Sequence, residues 1–157
     1  MASNYVYVTY IRSTPAEVWS ALMKPEFMRQ YWFGVHFETD WKPGSPWKML
    51  YPDGTMTDHG QVLECVPQKR IVLSWHNDWN PEFAAEGEAR CVIEIAPDRG
   101  AVRLSIQHSM ERNGAKLIEA VSGGWPRILS NLKSLLETGS VVLTPEAAGK
   151  PAAPKTN

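Results

Sequence analysis

Four histidines are the side chains of this 157-residue sequence best suited to acid–base or metal chemistry near neutral pH: His36, His59, His76 and His108. None pairs with another in an HxH or helical i, i+4 spacing, and neither Cys65 nor Cys91 has a CxxC partner, so no metal site is expected. There is no GxSxG, no phosphate-cradling P-loop and no dinucleotide GxGxxG, so no catalytic set and no cofactor is expected either. Strand alternation sorts the histidines, because successive side chains point to opposite faces. His108 runs in phase with Val102, Leu104, Ile106 and Met110 and is expected inside, as a hydrogen-bonded core histidine or as a polar contact in a pocket. His59 shares parity with Leu63 and Cys65 and is also expected inside, although Gln61 interrupts that pattern. His36 and His76 fall on polar faces and are expected to be solvated, as are Glu88, Glu94, Asp53 and Asp78.

The elements that must position these groups follow from periodicity. Residues 5–11 are β-branched and aromatic, as a strand requires. Thr14, Pro15 and Glu17 then read as N-cap, first helical position and capping-box acid of a short helix, and Pro25 opens a second. From Gly34 to Met110 the pattern is strand after strand, with one apolar and one polar face: an antiparallel sheet covered on one side. Segment 77–87 reads as a longer loop. From Ala115 the period becomes helical, with Leu117, Val121, Trp125, Ile128, Leu132 and Leu135 in one stripe. Pro126 lacks the N–H for the helix ladder, so a kink near Gly123 is predicted, with the Gly pair allowing close backbone packing. Gly139 suits a left-handed C-cap. One domain over residues 4–139 is expected, followed by a tail over 140–157 that is disordered from about 145.

Composition removes several classes of function. A net charge of −1 carries no nucleic-acid footprint. No apolar run reaches the roughly 18 residues of a membrane span, and no basic-then-apolar leader opens the chain, so a cytoplasmic location is expected, with both cysteines reduced. Seven tryptophans imply either a bulky core or an aromatic-lined hollow.

Three segments resemble the AHSA family, named for the C-terminal domain of the activator of heat shock protein 90 ATPase, within the START-like (SRPBCC) superfamily. They are Ser13–Leu22 with Pro25-Glu26, then Gly60–Glu64 with Arg70–Trp75, then Gly124-Trp125 with Leu129, Leu132-Lys133 and Leu136–Gly139. The resemblance implies an α+β helix-grip fold: a curved antiparallel sheet of about seven strands, two short helices after the first, wrapped around a long C-terminal helix. It also implies a hollow between sheet and helix. Its expected walls include Trp47, Met49, Tyr51, His59, Trp75, Cys91, Ile93, Leu104, Ile106, His108, Leu117, Val121 and Trp125. The leading functional expectation is a binding protein for a small hydrophobic molecule, lipid-like or aromatic, rather than an enzyme. The alternatives are a polyketide cyclase- or hydrolase-like enzyme using His108 or His59, and a chaperone-linked partner protein, which rests on the resemblance alone. A homodimer is left open, and the entrance to the hollow is expected at Gly123–Pro126.

Overall fold

The structure, a computed structural model, describes residues 2–144. The tail segment expected to be disordered from about 145 lies outside the described residues. The elements are β1 (Ser3–Ile11), α1 (Pro15–Met23), α2 (Pro25–Tyr31), β2 (His36–Glu38), β3 (Pro46–Leu50), β4 (Met56–Val66), β5 (Arg70–Asn77), α3 (Pro81–Glu86), β6 (Ala89–Asp98), β7 (Ala101–Met110) and α4 (Lys116–Thr138). The strands form a single antiparallel sheet in the order β1-β7-β6-β5-β4-β3-β2. With the long helix α4 this is the helix-grip architecture that the residue order implies.

Local chemistry explains the elements. The Thr14 hydroxyl caps α1 by accepting from the Glu17 N–H at 3.2 Å. The Glu17 carboxylate does not close the capping box on Thr14; it accepts from the Ser13 hydroxyl at 2.8 Å instead. Gly139 ends α4 in the left-handed conformation, as expected. Segment 77–87 is not all loop. Asn80 caps α3 through the Glu82 N–H, and Pro81 occupies its first position. Helix α4 continues as one helix through Pro126. A Cβ added at Gly123 or Gly124 would meet no atom within 4 Å, so the glycine pair does not serve close packing as anticipated.

One face of the sheet is dry. Ile71, Leu73, Cys91, Ile93, Ile95, Val102, Leu104, Ile106 and His108 alternate inward and are buried, and the apolar ones share one core with Leu129 and Leu132 of α4. The C-terminal half of α4 is tied down further. Lys133 donates to the Tyr10 carbonyl, and the Glu137 carboxylate accepts from the Arg12 N–H at 2.7 Å. Asn131, fully buried, bonds both the N–H and the carbonyl of Leu143. Among the described residues, no helix is long and apolar enough to cross a membrane.

Candidate functional site

Beneath the N-terminal half of α4 the packing is looser. A hollow of about 210 Å³ is lined by Trp32, Met49, Asp58, Trp75, Asn77, Phe83, Leu117, Ala120, Val121, Gly124, Trp125 and Ile128. Trp32 stands at the C-terminus of α2 and brings its ring within 5.1 Å of Trp125 and 6.3 Å of Trp75. Trp75 lies 4.7 Å from Trp47, which stacks at the same spacing on Phe37. Tryptophan thus serves both purposes, a bulky core around Trp47 and an aromatic wall around Trp32, Trp75 and Trp125.

Gly60 permits this arrangement. A Cβ there would lie 2.0 Å from the Ser74 carbonyl oxygen and 2.7 Å from the Trp47 indole nitrogen. Its absence lets the Trp47 indole N–H donate to the Ser74 carbonyl at 3.0 Å.

The polar end of the hollow is Asp58. Its Oδ2 accepts from the Trp75 indole N–H at 2.7 Å and from the Asn77 amide at 3.0 Å. Burial, with a smaller contribution from the nearby Asp78 charge, raises the carboxyl pKa above its ordinary value, and hydrogen bonding to its neighbours only partly opposes that shift. A buried carboxyl held by two neutral donors is a group that can bind a hydroxyl or N–H of a ligand.

The expected wall residues divide. Met49, Trp75, Val121, Trp125 and Leu117 line the hollow. Trp47, Tyr51, Cys91, Ile93, Leu104 and Ile106 are buried in the core and do not line it. His108 stands behind the wall, its ring 5.1 Å from Trp75, with its Nδ1 accepting from the Trp125 indole N–H at 3.1 Å. Burial drives its pKa down to about 4, so the ring is neutral and orients Trp125 rather than reaching into the space. Its Nε2 is enclosed without a hydrogen-bond partner, so the hydrogen-bonded core reading of His108 is met at Nδ1 alone.

His59 is on the outer face, a correction with a clear cause. A β-bulge lies between Val62 and Glu64, so the inward set before it is Asp58, Gly60 and Val62. Counting parity back from Leu63 and Cys65 crosses the extra residue and inverts every assignment. The same inversion hid Asp58. His76 and His36, expected to be solvated, are both half-buried. Burial lowers the His36 pKa, and its Nδ1 is enclosed without a hydrogen-bond partner.

A wider depression of about 690 Å³ lies around the β4–β5 turn, bordered by Pro67, Lys69, Arg70, Glu94, Pro97 and Arg103. Its Arg70 is already paired with Glu94 at 2.9 Å and Glu64 at 3.4 Å, so it offers neither a dry wall nor an uncommitted charge at Arg70.

Fold and hollow together define a domain of the helix-grip class. The family model described as "Activator of Hsp90 ATPase homolog 1-like protein" matches residues 12–137, and the chain belongs to that family. No curated protein matches. Among solved structures, protein MLL2253 from Mesorhizobium loti is similar with a TM-score of 0.74 at 18% identity, covering 88% of this chain and 100% of that one. The Aha1 dimer from Colwellia psychrerythraea gives 0.70 at 16% identity, covering 87% and 98%. CalU16 from Micromonospora echinospora gives 0.68 at 17%, covering 88% and 78%. At these identities the likeness is one of fold.

Proposed function

We propose that residues 4–139 form a binding domain for a small aromatic molecule of one or two rings bearing a hydroxyl or N–H donor. The observation that carries this reading is the pairing of a tryptophan-walled hollow with the buried Asp58 carboxyl. Size narrows the ligand. An engineered apolar cavity of about 150 Å³ holds benzene, and drug-sized ligands need roughly 300 Å³ or more. A hollow of about 210 Å³ therefore suits one or two rings and is too small for a sterol or a long acyl chain. Charge narrows it further. A fatty-acid carboxylate would meet Asp58 as one acceptor facing another, whereas a phenolic hydroxyl or indole N–H would donate to it.

Tryptophan fluorescence tests this directly, because three indoles line the space. Titration with 2-naphthol or indole is expected to give saturable quenching. At about 0.5 kcal/mol for each of roughly eleven heavy atoms, the Kd is on the order of 0.1 mM. 2-Naphthoate, laurate and cholesterol are expected to give no saturable response. A response to laurate or cholesterol and none to the neutral aromatics would overturn the reading.

A further inference from the structure

The reverse side of the same two strands carries a second group that no spacing along the chain reveals. His59 on β4 is the direct cross-strand neighbour of His76 on β5, with ring centroids 5.2 Å apart. Asp78 follows His76 by two residues, just past the end of β5. Its carboxylate lies between the two rings, with Oδ2 2.5 Å from His59 Nδ1 and Oδ1 2.9 Å from His76 Nδ1. One ligand atom from each of the three residues lies within 4.8 Å of the others. The side chains are 47%, 24% and 25% exposed for His59, His76 and Asp78, so the group is open to solvent but not loose.

The hydrogen bonding of His76 makes the group more than a chance cluster. Its Nε2 lies 3.2 Å from the carbonyl oxygen of Ala84 in α3. A carbonyl only accepts, so Nε2 carries the proton. In the neutral ring Nδ1 is then a bare lone pair, and it faces a carboxylate oxygen at 2.9 Å. Two acceptors at that distance repel unless a cation lies between them. What lies there is either a proton shared by His76 and Asp78 or a metal ion. The Ala84 contact is also the outer-shell hydrogen bond that ligating histidines characteristically make, fixing the tautomer and aiming Nδ1.

We propose that His59, His76 and Asp78 bind a divalent first-row transition ion of the zinc class on the outer face of β4 and β5. Two imidazole nitrogens and one carboxylate oxygen suit zinc, cobalt or copper better than magnesium or calcium, which favour all-oxygen sites. Three protein ligands leave a fourth position for water. Ligand bonds of about 2.0–2.1 Å place neighbouring donors roughly 3.3 Å apart, so Asp78 has to withdraw slightly from His59 as the ion enters. Lys48 lies opposite His59 on β3 and is the cation in this register that opposes the ion's charge. The site shares its strands with the hollow: Asn77 lies between His76 and Asp78 in the chain and donates to Asp58, and Ala84 follows Phe83, which lines the hollow.

The test uses the full chain without a purification tag. Calorimetric titration with Zn²⁺ is expected to give one equivalent bound. In ¹⁵N-resolved NMR spectra, Zn²⁺ is expected to move the ring resonances of His59 and His76 and leave those of His108 in place. Loss of an outer-shell partner alone costs about 10–100-fold in metal affinity, so the double variant His59→Ala/His76→Ala is expected to lose at least that much. Asp78→Asn, which preserves shape, is expected to weaken binding as well, with circular dichroism reporting that both variants fold. The proposal is overturned if the wild type takes up Zn²⁺ only at millimolar concentration, or if the double variant binds equally well. It is also overturned if His76 proves to be an imidazolium that Zn²⁺ does not displace, for then a proton alone fills the gap.

Discussion

The two halves of α4 carry the same apolar stripe and do different things with it. In the C-terminal half, Leu129 and Leu132 are buried against tightly packed neighbours, and Asn131, Lys133 and Glu137 fasten the helix to Tyr31, Leu143, Tyr10 and Arg12. In the N-terminal half, Val121 is only half-buried, Ala120 is exposed and Gly124 offers no side chain. What lies opposite decides the outcome. The N-terminal half stands over the large flat indoles of Trp32 and Trp75, which with its own Trp125 leave space at their edges.

The largest effect that would test this contrast is on stability. Leu104 is fully buried on β7, within the packed region, so Leu104→Ala is expected to cost about 2–5 kcal/mol in denaturant unfolding through lost transfer energy plus a cavity. Val121→Ala removes atoms that already face open space, and is expected to cost about 1 kcal/mol or less. Equal losses at the two positions would mean that the hollow is packed in solution.

A second effect concerns the boundary between the halves, where His108 supports Trp125. The folded pKa of about 4 lies below the ordinary 6.5, so the unfolded chain binds a proton in this range that the folded chain refuses. Stability is therefore fully present above pH 6.5 and is lost as pH falls toward 4. The loss is about 3 kcal/mol for some 2.5 pH units at 1.36 kcal/mol each. His108→Gln is expected to flatten the urea-midpoint profile over that window relative to the wild type, since other titrating groups are common to both proteins. An unchanged profile would mean that the ring is not enclosed and neutral.

The difference between the halves also marks how much the sequence could reveal. Alternation in β5, β6 and β7 and the stripe of α4 were legible, because each follows an uninterrupted period of two or of 3.6. The site was legible only in part. Met49, Trp75, Val121 and Trp125 follow from their faces. Asp58 does not, because the bulge at Val62–Glu64 adds a residue that no local pattern announces. The His59–His76 pairing depends on the same register, which a three-dimensional sheet fixes and a list of spacings does not. Phe83 was hidden in a segment read as loop, although Asn80-Pro81 ahead of Glu82 is a helix-start signal that could have placed it on α3.

The smallest effect is the most discriminating, because its sign differs between two readouts. Glycine inside a helix costs roughly 0.5–1 kcal/mol relative to alanine. An added Cβ at Gly124 meets nothing within 4 Å, so Gly124→Ala is expected to stabilise the protein by about that amount, raising the urea midpoint. The same methyl projects beside the hollow that Gly124 lines, so it is expected to weaken 2-naphthol quenching. A gap that is merely unfilled packing would gain stability with no change in binding. A binding space kept open at the expense of helix stability gains stability and loses ligand together, and only that combination makes the looser half of α4 a site.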